Sequence, residues 1–91
     1  MDIRHDMDDN RFVARTEHGE AVLQYQRAGE KTLDFQSTLV PEPDRGKGIG
    51  EELVLHALEW AEESGFKVIP SCPFVRRVLK EHPERQGVMA R

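Results

Sequence analysis

Arg45-Gly46-Lys47-Gly48-Ile49-Gly50 is the stretch on which the fold turns. Before it the apolar residues alternate, and after it they recur at helical spacing. Upstream, residues 31–40 (KTLDFQSTLV) put Leu33, Phe35 and Leu39 on one face of a strand, with Ser37 among them. Pro41-Glu42-Pro43-Asp44 then stops that strand. Downstream, Ile49, Leu53, Ala57, Trp60 and Ala61 share one side of a helical wheel, with Val54 beside them. Glu51, Glu52, Glu59, Glu62 and Glu63 fall mostly elsewhere. That pattern predicts an amphipathic helix lying on a sheet.

The reading extends outward on both sides. Ser64-Gly65 ends the helix, with Gly65 as a left-handed cap. Residues 66–70 are a short strand. Ser71-Cys72-Pro73 opens a second helix, because proline suits the first helical position, and that helix runs to about His82. On the other side, Asp8-Asp9-Asn10 is a turn before a strand at residues 11–17. A second strand at residues 20–28 alternates Ala21, Leu23 and Tyr25 with polar neighbours. The order is three strands, helix, strand, helix. A strand–helix–strand crossover is right-handed and leaves its two strands parallel. The expected fold class is therefore α/β (α+β): a mixed, mostly antiparallel sheet with one parallel pair and two packed helices. At 91 residues a single domain, 1–91, with a thin core is expected.

Composition narrows the function classes. A net charge of −4 argues against a whole-surface nucleic-acid binder. No stretch approaches the ~20 apolar residues of a membrane span. The first residues lack the apolar core of a signal peptide. Cys72 is the sole cysteine, which excludes an intramolecular disulfide. A cytoplasmic setting follows as the expectation, with monomer and homodimer both open. Residues 76–91 carry Arg76, Arg77, Lys80, Arg85 and Arg91 against two acids. This basic tail either meets a phosphate or is a solvated helix face.

The glycine stretch has a chemistry of its own. The first turn of a helix has backbone N–H groups without intrahelical acceptors, and the helix dipole adds partial positive charge. Glycines let phosphate oxygens approach that backbone, and Arg45 and Lys47 add cations. The combination suits a pyrophosphate. It is not the nucleotide pattern GxxxxGK[ST], because Glu51 and Glu52 follow Gly50. Nor is it the dinucleotide fingerprint, because the spacing is GxGxG.

The stretch resembles the [QR]-x-x-G-x-[GA] signature of the GNAT superfamily of acyl-CoA-dependent N-acyltransferases. More narrowly, four blocks in order are similar to the small GNAT-like, N-acetyltransferase domain-containing proteins. They are Val40-Pro41, the glycine stretch, Ile69-Pro70-Ser71-Cys72-Pro73-Phe74-Val75, and His82-Pro83-Glu84. The resemblance implies a minimal GNAT-like fold whose two parallel strands splay apart around the pantetheine arm of acetyl-CoA. It implies coenzyme A or acetyl-CoA as cofactor and an amine of unspecified identity as acceptor. Val40, Arg45, Gly46, Lys47, Gly48, Ile49 and Gly50 carry over as cofactor-binding positions, with no metal. Two departures stand out. Ser37-Thr38 replaces the His-Thr often found there, and the first helices of ordinary members are missing. A non-catalytic acyl-CoA-binding or interaction module is the alternative to a small N-acetyltransferase.

Other side chains are weighed by position. Cys72 starts a helix after the second parallel strand, a place that favours thiolate, so it is the candidate catalytic residue against a buried, inert alternative. Tyr25 and Trp60 read as core. His56 sits at the edge of the apolar helix face, and His82 ends the second helix beside Pro83. Glu42 lies next to the loop and is the carboxylate there to test as a general base. No Cys/His cluster has zinc spacing.

Overall fold

The computed structural model describes residues 1–90 of the chain. Five strands form one sheet in the order β1-β2-β3-β4-β5: Ile3–Asp6, Arg11–Thr16, Gly19–Gly29, Thr32–Leu39 and Lys67–Ile69. Helix α1, Ile49–Glu63, joins β4 to β5, and α2, Pro73–Glu81, follows β5. The first four strands pair antiparallel, and β4 and β5 pair parallel, as the crossover rule requires. No helix among the described residues is long and apolar enough to cross a membrane.

Strand β1 is a correction to the sequence reading, which began the meander at residue 11. Ile3-Arg4-His5-Asp6 has no run of alternating apolar residues to announce it. It pairs with β2 from Ile3↔Ala14 to Asp6↔Arg11 and fills the sheet edge. His5 then stacks on Phe12, ring centroids 4.0 Å apart, and its Nε2 lies 2.6 Å from the Tyr25 hydroxyl. Burial is the main influence lowering the His5 pKa, with His56 adding to it and Asp6 opposing. Tyr25 is buried in the core, as expected, and Trp60 is partly buried against it.

One face of the sheet takes both helices. Phe12, Leu23 and Phe35 from the strands meet Leu53, Ala57, Leu58 and Ala61 of α1 and Val75, Val78 and Leu79 of α2, all buried. Leu58 joins this apolar face although the wheel reading omitted it. A 3-10 segment, Pro83–Val88, follows α2 and has no counterpart in the sequence reading. Met89 then bridges to Val68, and the Ala90 N–H donates to the Val68 carbonyl at 2.8 Å, so β5 is not left bare.

Strand β4 changes face midway. Gln24 of β3 faces Ser37, but the next residue, Tyr25, faces Phe35, so Gln36 is an extra residue on β4. Such a bulge interrupts the alternation. Leu33 and Phe35 point into the core below it. Above it Thr38 stands opposite the buried Leu23, and Leu39 turns outward, 63% exposed. The expectation that Leu39 shares a face with Leu33 and Phe35 is overturned for this reason.

Candidate functional site

Strand β5 is only three residues long and pairs with Thr32, Leu33 and Asp34 of β4. The Cys72 N–H closes the pairing by donating to the Phe35 carbonyl at 2.9 Å. Beyond Phe35 the chain turns into α2, and the far half of β4 loses its neighbour on that side. The fork so formed opens over the start of α1. A cleft of about 510 Å3 lies there, and its walls include Thr38 and Val40 of the β4 end, Gly46, Gly48 and Gly50, and Arg77 of α2.

The floor of the cleft is an uncapped helix start. Gly48 is the N-cap of α1 with φ 81°, and no side chain caps the helix. The first intrahelical bond runs from the Glu52 N–H to the Gly48 carbonyl at 3.0 Å. The N–H groups just before Glu52 thus have no acceptor within the helix. Gly46 and Gly48 both hold the left-handed conformation, φ 83° and 81°, and a Cβ on either would enter open space. Gly50 differs. A Cβ there would lie 3.0 Å from the Phe74 ring and 3.3 Å from Val40, so this glycine serves close packing.

The cations of the loop are partly committed. Lys47 Nζ sits 3.1 Å from Asp44 and 3.6 Å from Glu17, so its ammonium is already shared with two carboxylates. The Asp44 carboxylate is the first cause of the raised Lys47 pKa. Arg45 Nε donates to the Val40 carbonyl at 3.1 Å, pinning the loop to the strand end. In the basic tail, Arg76 bonds the carbonyls of Pro70 and Ser71, and Arg85 pairs with Glu59 and Glu62. Lys80 is exposed. Among the described residues of the group, Arg77 alone lines the cleft, its guanidinium 5.2 Å from the centre of the Phe74 ring. Arg91 lies outside the described residues.

Asp44 is the residue sequence reasoning missed. It sits in a 3-10 turn, Glu42–Asp44, and is 1% exposed. Its carboxylate accepts the His18 N–H at 3.1 Å and the His18 Nδ1–H at 2.9 Å, besides pairing with Lys47. Hydrogen bonding from His18, above all, holds its pKa far below the ordinary range, against the opposing effect of burial. Its contribution to stability is therefore present above the ordinary Asp value and lost only as pH falls through the depressed one. Glu17, His18 and Asp44 bring donor atoms within 4.8 Å of one another, but the Lys47 ammonium already pairs with both carboxylates of that group. Glu42, the acid singled out from the sequence, is exposed and does not line the cleft. Hairpin counting held the signal for Asp44: extending the Val22↔Leu39 register brings the His18-Gly19 turn beside the loop.

Cys72 is the N-cap residue of α2, as expected, but its side chain makes no capping bond and is 4% exposed. Its Sγ lies 3.6 Å from Oγ1 of Thr38, which does line the cleft. His56 is exposed on α1, with its ring 6.1 Å from that of Phe12. His82 bonds two carboxylates at once, Glu51 at 2.6 Å and Glu84 at 3.3 Å.

Comparison with known proteins agrees with this geometry. Residues 11–88 match the family model described as GCN5-related N-acetyl-transferase. The chain is 35% identical over 83 residues to Protein NATD1 of Xenopus tropicalis, covering 89% of this chain and 76% of the relative. It is 35% identical over 86 residues to Protein NATD1 of Danio rerio, covering 92% and 78%. A GCN5-like protein of Staphylococcus aureus, solved in solution by NMR, superposes with a TM-score of 0.78 at 25% identity. That match covers 98% of this chain and 87% of the other. A strand fork over an uncapped, glycine-led helix, together with these matches, establishes that the chain belongs to the GCN5-related N-acetyltransferase family.

Proposed function

We propose that the chain binds acetyl-CoA in the forked cleft and transfers its acetyl group to an amine. The observation that carries the reading is the fork itself, where β5 leaves β4 directly above the uncapped start of α1. The residues present fit the group: Gly46 and Gly48 keep their Cβ space open, and both line the cleft. In this reading the backbone N–H groups from Gly46 to Glu51 receive the pyrophosphate. Arg45 holds the loop to Val40, and Lys47 holds it to Asp44. The strand end at Thr38, Leu39 and Val40, unpaired on the fork side, bonds the pantetheine arm and polarises the acyl carbonyl through an N–H.

Acetyl-CoA supplies a thioester that an uncharged amine can attack. The new C–N bond forms as the C–S bond breaks; the amine gives up a proton, and the departing sulfur takes one. The chain's part is to align the two groups and to exclude competing water. Cys72, behind Thr38, is the thiol best placed to exchange a proton at the acyl end. Its burial favours the second reading, a non-catalytic acyl-CoA-binding module.

Calorimetry tests the first step. CoA or acetyl-CoA should bind at micromolar to sub-millimolar concentration, about −5 to −8 kcal/mol. Free-thiol release with polyamines, amino acids and peptide N-termini separates the two readings. Cys72→Ser should lower the transfer rate while leaving cofactor affinity within a few fold. Binding without turnover of any amine supports the module instead.

A further inference from the structure

The first turn of α1 carries two acids, Glu51 and Glu52, where an anion is to be received. Acids there are favoured by the helix dipole in the free protein. They become rivals of any phosphate brought to the same N–H groups. Of the two, Glu51 lines the cleft, and its carboxylate lies 2.6 Å from His82 Nε2. The other ring nitrogen of His82 meets Glu84 at 3.3 Å. A neutral imidazole has one N–H and can donate to only one carboxylate, whereas the imidazolium donates to both.

We propose that His82 is a positioning residue for cofactor binding: it draws the Glu51 carboxylate back from the anion-receiving turn and cancels its charge. The His82-Pro83-Glu84 segment thereby guards the phosphate end of the cleft, a role the glycine loop alone does not explain. This rests on the cofactor reading above. The charged groups facing the ring are Glu51 from α1 and Glu84 from the terminal segment. Arg85, though close in sequence, turns to Glu59 and Glu62 instead. Both carboxylates raise the His82 pKa, Glu51 foremost, against burial. The sign follows. The paired state is complete below the ordinary histidine value and is lost as pH rises through the raised one. Glu51 then faces the cleft without its counter-charge.

Dephospho-CoA is the suitable probe, because its pyrophosphate diester keeps a constant charge from pH 6 to about 8.5 while lacking the titrating 3′-phosphate. Calorimetry across that range should show wild-type affinity falling about two- to fivefold, the size of one charge at a helix end. Glu51→Gln should bind with nearly flat pH dependence and no weaker than wild type at the upper end. His82→Gln should show the weaker, high-pH affinity throughout, with circular dichroism confirming that it is folded. A flat wild-type profile, or a Glu51→Gln profile that keeps the wild-type slope, overturns the proposal and leaves cofactor binding intact. Failure of the wild type to bind dephospho-CoA or CoA at millimolar concentration at any pH overturns the cofactor reading itself.

Discussion

The two halves of β4 have the same neighbour on one side and different fates on the other. Below the bulge at Gln36, Leu33 and Phe35 are buried under the helices, and β5 is bonded alongside. Above it, Ser37, Thr38 and Leu39 still pair with β3, but nothing from β5 continues beside them. The lower half is held by apolar burial and hydrogen bonds on both edges. The upper half keeps half its backbone bonding capacity free and turns an exposed leucine outward. A single extra residue thus separates a part that makes the fold from a part that is open to a ligand. The glycines repeat the contrast: Gly50 is needed for contact, and Gly46 and Gly48 for the lack of it.

Substitutions can break this contrast at graded cost. Phe35→Ala removes a fully buried ring from the lower half and should destabilise the chain by about 3–5 kcal/mol, read from denaturant unfolding. In so small a domain that exhausts most of the stability. Gly50→Ala presses a methyl group onto Phe74 and Val40 and should cost about 1–3 kcal/mol of stability. Its effect on cofactor affinity should be smaller than that of a change at Gly48. Gly48→Val should weaken CoA binding about tenfold, or 1.4 kcal/mol. Because Gly48 holds a left-handed φ, the change should also cost stability, so affinity is read on protein shown to be folded by circular dichroism. Equal effects of the Gly48 and Gly50 changes on affinity would erase the distinction drawn between them. The smallest effect belongs to Arg77→Ala. It should weaken CoA a few fold but leave dephospho-CoA unchanged, and added salt should close the gap between the ligands.

Much of this was legible in the residues. The change of period at Ile49 gave the helix, and the two halves around it gave the parallel pair. The glycine loop was found because its pattern is local. What was not legible depends on pairing across the sheet. β1 has no apolar signature and exists because β2 offers it an edge. The bulge is a register event between β3 and β4, invisible in KTLDFQSTLV read alone, and it misled the reading of Leu39. Asp44 and His18 are 26 residues apart and meet only because the hairpin folds back on the loop. The pairing of Lys47 with Glu17 is hidden for the same reason, whereas Asp44, its other partner, is only three residues away.

The most direct test of the account is an NMR-detected titration of the wild-type chain with CoA. Saturable amide shifts should cluster at residues 38–40, 46–51 and 74–77, along the fork and the helix start. Shifts concentrated at the other groove, where Met7, Tyr25, Trp60 and Phe66 enclose about 310 Å3, would contradict it. So would the absence of any shift at millimolar CoA.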